Sequence, residues 1–147
     1  MRRYAHTQIG HVVIWAVLLA SVVLAMGTIS QPSRSREISV FISLLLLVTV
    51  PLFYKLTIEL DDQTLRASFG IGLIKKKVPV DQIAACEPIR TRWRYGWGIH
   101  LTPYGWLYNV SGLHAVAITL RNGRKFAFGT DDPGGLVDAI RRLIGPT

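Results

Sequence analysis

Two long apolar runs near the start of the chain constrain its fold more than any other feature. They cover residues 9–29 and 39–54, and only the polar stretch 30–38 separates them. A helix needs about 20 apolar residues to cross a bilayer, because it rises about 1.5 Å per residue and must satisfy its backbone amides internally. The sequence therefore predicts a transmembrane helical hairpin over residues 1–55, followed by a domain over residues 56–147.

Each apolar run has an alternative interpretation. A cleaved signal peptide also starts with basic residues, here Arg2 and Arg3, but its apolar part is usually only about 7–15 residues long. The second run is short for a span and contains Pro51, so a buried core helix is the alternative there. The length of the first run and the tolerance of membrane helices for proline favour two spans.

Basic residues beside the runs predict the orientation in the membrane. Three flank the outer ends and two lie between the runs: Arg2, Arg3 and Lys55 against Arg34 and Arg36. Because basic residues near a span favour the cytoplasmic side, we expect a multi-pass protein of the inner (plasma) membrane with both termini in the cytoplasm. The single cysteine, Cys86, has no partner for an internal disulfide, which suits a reducing compartment.

The charge of the chain indicates an acidic partner. Its 17 Lys and Arg exceed its 9 Asp and Glu, for a net charge of +8. A basic domain held near a bilayer is attracted to anionic headgroups, with about 1 kcal/mol from each surface Lys or Arg. The alternative is that these charges only keep the domain soluble and set its topology. Nucleic acid is not predicted as a partner, because the sequence has no recognition helix, zinc spacing or ribonucleoprotein motif.

Alternating residues predict a first β-hairpin on either side of a loop at 61–64. One continuous apolar face requires three pairs: Leu60 with Leu65, Ile58 with Ala67, and Leu56 with Phe69. A third strand is expected over residues 74–80, where Pro79 marks an edge or an end.

A second hairpin is predicted around Asn122 and Gly123. A two-residue turn would separate the large apolar residues onto opposite faces, whereas a three-residue loop with a left-handed Gly123 puts them on one face. The pairs in that register are Leu120 with Arg124, Ile118 with Phe126, and Val116 with Phe128.

The last predicted element is an amphipathic helix over residues 133–144. Asp131 or Asp132 can cap it, and Pro133 suits its first turn. Its apolar stripe consists of Leu136, Val137, Ile140, Leu143 and Ile144, and Gly145 with Pro146 ends it. Such a stripe needs a sheet face against which to pack.

Four segments add to this order of elements: residues 78–83 leading to Cys86, 95–99, 106–112 and 128–130. Together with the two apolar runs, they resemble bacterial membrane proteins in which two transmembrane helices precede a pleckstrin-homology-like (PH-like) domain. The resemblance implies an α+β fold, in which the transmembrane hairpin is followed by a PH-like β-sandwich or barrel closed by a C-terminal α-helix. PH domains that bind phosphoinositides commonly use basic residues in the first hairpin loop. Here that loop carries Asp61 and Asp62, so specific phosphoinositide recognition is not expected.

Eight residues are candidates for contact with a lipid surface: Lys75, Lys76, Lys77, Arg90, Arg92, Arg94, Trp93 and Trp97. In an extended chain, the alternation over residues 90–97 would place cations on one side and aromatic rings on the other, as suits a membrane interface. The alternative is that Trp93 and Trp97 belong to the core while the arginines face solvent, since any strand produces this alternation.

The sequence offers no catalytic residue, metal site or cofactor site. His11, His100 and His114 lack ligand spacing with Cys86, and Ser111 lacks the preceding glycine of a nucleophile elbow. We therefore expect a non-enzymatic membrane protein whose cytoplasmic domain mediates protein contacts or contacts with an anionic lipid surface. Membrane lipids are the expected partners, with another membrane protein or a second copy of the chain as further candidates. The alternative is a small membrane-bound enzyme with a pocket in the PH-like domain.

Overall fold

The computed structural model describes residues 2–29 and 32–145. The chain begins with strand β1 (Arg2–Ile9) and continues into two long helices, α1 (His11–Thr28) and α2 (Ser33–Phe53). The remaining elements are β2 (Lys55–Asp61), β3 (Thr64–Phe69), β4 (Ile74–Pro79), β5 (Ile83–Arg90), β6 (Gly98–Thr102), β7 (Gly105–Asn109), β8 (His114–Leu120), β9 (Lys125–Gly129) and α3 (Pro133–Ile144). Short 3-10 turns lie at Val80–Gln82 and Trp93–Tyr95.

Strand β1 is an element that sequence reasoning missed. It pairs antiparallel with β2, with Ile9 opposite Lys55 and Thr7 opposite Thr57. The two long helices are therefore inserted between two neighbouring strands of one sheet. The amide of Gly10 donates a hydrogen bond of 2.7 Å to the carbonyl oxygen of Tyr54, which joins the start of α1 to the end of α2.

Helices α1 and α2 contact each other, and both are long and apolar enough to cross a membrane. Val17 is the one buried residue of α1, and none of the described residues of α2 is buried. The domain leaves the apolar surface of both helices uncovered. This exposure disfavours the alternative in which the second apolar run is a core helix.

The strands form two sheets. The first has the order β1-β2-β3-β4 and the second has the order β5-β8-β9-β7-β6, in which only the β7–β9 pair is parallel among the described strands. Apolar side chains from both sheets share one core; they include Leu56, Ile58, Leu65 and Phe69 from the first sheet and Val116, Ile118, Phe126 and Phe128 from the second. The sequence predicted a sandwich or a barrel. The described strands form two sheets and no closed barrel.

Both predicted hairpin registers are confirmed. In the first hairpin, Leu60 lies opposite Leu65 and Leu56 lies opposite Phe69. In the second hairpin, Ile118 lies opposite Phe126 and Val116 lies opposite Phe128. Gly123 has a φ of 82°, and its amide donates to the carbonyl oxygen of Leu120 at 2.9 Å, as the three-residue loop requires. The third strand is confirmed too, with Pro79 at the end of edge strand β4.

Helix α3 has the predicted bounds and the predicted cap. The side chain of Asp132 accepts a hydrogen bond of 3.0 Å from the amide of Gly135, and Pro133 occupies the first turn. Leu136, Val137 and Ile140 are buried, and the helix packs against β5, β8 and β1. It thus covers the side of the sandwich where β1 and β5 are the edges. Pro146 lies outside the described residues.

The strands give the domain two ends, named here by their relation to the helices. The helix-side end is the end at which α1 begins and α2 stops. The distal end is the opposite one, and it contains Asp61 at the end of β2, the β2–β3 loop and the β8–β9 loop with Asn122.

Candidate functional site

Three loops form the helix-side end of the domain, and the first is the β3–β4 turn at 70–73. The amide of Gly70 donates to the carbonyl oxygen of Lys55 at 2.8 Å, and the amide of Ile71 donates to that of Pro51 at 3.1 Å. Gly70 has a φ of 49°, and a Cβ at this position would collide with the carbonyl oxygens of Pro51 and Leu52. Only glycine therefore allows the turn to lie so closely against the last turn of α2.

The second loop, at 110–113, ties the second sheet to the start of α1. The side-chain amide of Gln8 donates to the carbonyl oxygen of Ser111 at 2.9 Å. Buried Asn109 braces the same loop, since its side chain donates to the carbonyl oxygen of Gly112 at 3.1 Å and accepts from the amide of Ser111 at 3.2 Å. Gly10 fits beside this loop because it has no side chain: a Cβ there would lie 3.2 Å from that of Val110.

The third loop, at 91–97, contains four of the eight predicted lipid-surface residues: Arg92, Trp93, Arg94 and Trp97. The amide of Thr91 donates to the carbonyl oxygen of Leu113 at 2.7 Å, and Gly98 pairs with Asn109. Both ends of the loop are therefore at the helix-side end. Because β5 and β6 are opposite edges of the second sheet, the loop crosses from one edge of that sheet to the other.

The loop is not the extended chain that the alternation indicated. Trp93–Tyr95 form a 3-10 turn, in which the amide of Tyr95 donates to the carbonyl oxygen of Arg92 at 3.0 Å. Tyr95 packs against the buried residues Leu107, Ala115 and Ala127 on the outer face of the sheet. The expectation of an extended segment was wrong, because the side chain of Tyr95 packs on this apolar surface and the backbone of the loop folds over the sheet.

The side chains of this loop are largely exposed. Trp93 is 78% exposed, which rules out the core interpretation for that residue, whereas Trp97 is 38% exposed. Arg92 and Arg94 are exposed too, and the guanidinium of Arg94 lies 5.6 Å from the centre of the Tyr95 ring. Arg90, at the end of β5, is also exposed, beside the same end of the sheet.

The three consecutive lysines of β4 do not act as one cluster. Lys75 is exposed and lies opposite Ser68, next to the helix-side end. The side chain of Lys76 faces the inner side of the sheet, with its ammonium 5.7 Å from the centre of the Phe126 ring. Lys77 lies opposite Arg66, further toward the distal end. The structure therefore brings Lys75 to the helix-side end with Arg90, Arg92, Trp93, Arg94 and Trp97, and separates Lys76 and Lys77 from them.

Charge is distributed unequally between the two ends. Loops 70–73, 91–97 and 110–113 contain no Asp or Glu. Asp61, Asp62 and Asp81 lie at the distal end, where Asp61 accepts hydrogen bonds from the amides of Gln63 and Thr64 at 2.9 and 2.6 Å. Those two bonds lower the pKa of Asp61. Asp62 forms an ion pair with Arg3.

The distal carboxylates are engaged in structure. Because β1 precedes β2, the turn at Asp61 and Asp62 joins the second and third strands of the domain, not the first two as expected from the sequence. Two open cavities of about 570 and 610 Å³ lie beside this loop. Among residues 2–29 and 32–145, no group of three His, Cys, Asp or Glu side chains is placed to hold a metal ion.

Cys86 is buried in the core, as expected, with its sulfur 3.9 Å from the carbonyl oxygen of Val137. Burial raises the pKa of the Cys86 thiol, which keeps the thiol protonated and disfavours nucleophilic chemistry.

Comparison with known proteins adds no family to this description. No family model matches the chain, and searches of curated proteins and of solved structures give no significant match.

Proposed function

We propose that this chain is a non-enzymatic integral membrane protein, anchored by α1 and α2, whose domain rests on an anionic lipid surface through its helix-side end. The contact surface consists of Lys75, Arg90, Arg92, Trp93, Arg94 and Trp97 and is called the basic-aromatic surface below. We further propose that the domain is PH-like and that it lies in the cytoplasm, with both termini on that side of a bacterial inner membrane.

One observation carries the proposal: the exposed arginines and tryptophans of loop 91–97 are at the same end of the domain as the ends of α1 and α2. If those helices span the bilayer, this end faces the headgroups. Tryptophan is favoured at headgroup depth, and each nearby cation contributes about 1 kcal/mol of attraction to an anionic leaflet. The three loops at this end contain no Asp or Glu, so no loop carboxylate repels the anionic headgroups.

The architecture supports the PH-like part of the proposal. Two sheets pack on one core, and a C-terminal helix covers one side of the sandwich. The helical hairpin departs from the resemblance in one respect, because it follows β1 and does not precede the whole domain. A hairpin inserted between two paired strands holds the domain close to the bilayer more firmly than a single flexible tether.

The test uses the full chain in lipid nanodiscs, with Cys86→Ala to remove the native thiol and a nitroxide spin label on Trp93→Cys. In nanodiscs with phosphatidylglycerol, collisions of the label with a water-soluble nickel complex should be less frequent than in nanodiscs of phosphatidylcholine alone. Added salt should reduce the difference, since screening weakens attraction between charges near the surface.

A charge variant and its matched control complete the experiment. Arg92→Gln with Arg94→Gln should abolish the difference between the two lipids. Arg124→Gln with Lys125→Gln removes the same charge from the distal end and should leave the difference intact. Equal accessibility of the label in both lipids would overturn the proposal, whether the label is exposed in both or stays protected in both at high salt.

A further inference from the structure

The β3–β4 turn exposes two large apolar side chains beside α2. Ile71 is 62% exposed and Leu73 is 73% exposed, and both lie in a turn, 70–73, without any charged residue. Neither residue belongs to the basic-aromatic surface. Ile71 and Leu73 do not pack in the core. Whether they contact water or lipid depends on how deep the turn lies relative to the bilayer.

The lengths of the helices fix that position. Helix α1 has 18 residues, which rise about 27 Å, and the hydrocarbon core of a bilayer is about 30 Å thick. In α2, Arg34, Arg36 and Glu37 lie in the first turns, so the uncharged part is 38–53, which rises only about 24 Å. Neither helix has apolar length to spare. The last turn of α2 must therefore lie at the hydrocarbon boundary or inside it.

The turn lies at the same depth as that last turn. The amide of Ile71 donates to the carbonyl oxygen of Pro51 at 3.1 Å, two residues before α2 ends at Phe53. A Cβ on Gly70 would collide with the carbonyl oxygens of Pro51 and Leu52, so the turn lies directly against this stretch of helix backbone. A bilayer that covers Pro51 therefore also covers Ile71.

We propose that turn 70–73 is a hydrophobic wedge, which inserts Ile71 and Leu73 among the lipids of the leaflet beside α2. The wedge adds apolar surface where α2 is too short. Lys75 follows on the strand, with its side chain folded back toward Gly72, where its ammonium can reach the headgroups. The inference rests on the proposed membrane spanning of α1 and α2, but it requires no attraction to anionic lipid.

The test measures the depth of spin labels in the full chain, in nanodiscs of phosphatidylcholine, in the Cys86→Ala background. Labels on Ile71→Cys and Leu73→Cys should collide several-fold more often with oxygen, which concentrates in lipid, than with the water-soluble nickel complex. Leu101→Cys is the matched control for Leu73→Cys. Both residues are leucines of similar exposure, 70% for Leu101, but Leu101 lies on β6 toward the distal end. Its label should collide mainly with the nickel complex.

A label on Leu45→Cys, near the middle of α2, separates this inference from the proposed spanning. A lipid-like signal at Leu45 with a water-like signal at Ile71 and Leu73 would overturn the wedge and leave the spans intact. A water-like signal at Leu45 would overturn both. Labels at Ile71 and Leu73 that collide with neither probe would place them in a protein interface, which also overturns the wedge. A lipid-like signal at 71 and 73 combined with no lipid dependence at Trp93 would support the wedge and contradict only the basic-aromatic surface.

Discussion

The phenol of Tyr4 donates a hydrogen bond of 3.1 Å to the Oδ2 atom of Asp132, although 128 positions separate the two residues. Asp132 also caps α3, through a hydrogen bond of 3.0 Å from the amide of Gly135. One carboxylate therefore fastens the first strand to the last helix. Burial and the Asp132 carboxylate both raise the pKa of Tyr4, since each disfavours a second negative charge at that site.

Tyr4→Phe should lower the free energy of unfolding by roughly 1 kcal/mol at neutral pH, the usual cost of one lost hydrogen bond. Its effect on alkaline stability is more specific. The unfolded chain releases the phenolic proton near pH 10, whereas the folded chain retains it to a higher pH, so the stability of the parent falls as pH rises above about 10. Unfolding in urea at a series of pH values should show a shallower alkaline decline in Tyr4→Phe. Tyr104→Phe, on the β6–β7 loop, is the control and should decline like the parent.

Gly70→Ala should destabilise the protein, because a Cβ would meet the carbonyl oxygens of Pro51 and Leu52 and because Gly70 has a φ of 49°. We expect a loss of at least about 1 kcal/mol, which thermal unfolding in mild detergent would detect. The matched control is Gly134→Ala, where a Cβ meets nothing within 4 Å and the residue lies in helix α3. That change should stabilise the protein by about 0.4–1 kcal/mol. Equal melting of the two variants would contradict the close contact between the turn and α2.

The domain should fold without its helices only if β1 is kept. The amide of Gly10 donates to the carbonyl oxygen of Tyr54 beside the Ile9–Lys55 pair, so Asn-Gly in place of residues 11–53 should join β1 to β2 as a short hairpin. This chain should be soluble and should melt cooperatively. Residues 55–147 alone lack the strand that covers the edge of β2, and circular dichroism should show a lower melting temperature or no cooperative transition. Equal melting of the two chains would mean that β1 contributes little.

The proposed orientation predicts different labelling of the two sides. In intact cells, Ser33→Cys at the start of α2 should react with a membrane-impermeant maleimide, and Asn122→Cys in the β8–β9 loop should react only after permeabilisation. Both variants carry Cys86→Ala to remove background. Labelling of Asn122→Cys in intact cells would place the domain outside the cytoplasm.

Local patterns determined much of this fold. The period of two in residues 56–69 and 116–128 specifies which face of each hairpin is apolar, and a slip of one residue would turn that face to water, so both registers could be predicted from the sequence. Helix α3 could be predicted equally well, because its cap at Asp132, its first-turn proline and its apolar stripe are all close together in the sequence. The two apolar runs predicted α1 and α2 by length and composition alone.

Contacts between distant segments determined the rest. Residues 2–9 have no clean alternation, and they form a strand because β2, 46 positions or more away, offers an open edge. Loop 91–97 has a strong alternation and yet is not a strand, because Tyr95 covers an apolar surface made by β7, β8 and β9. The alternation of β4 places Lys76 on the face of Ile74 and Val78 and Lys75 on the other face, but the Phe126 ring beside the Lys76 ammonium comes from the second sheet. Local periodicity encodes which residues seek burial, but the surface that buries them exists only after the two sheets have assembled.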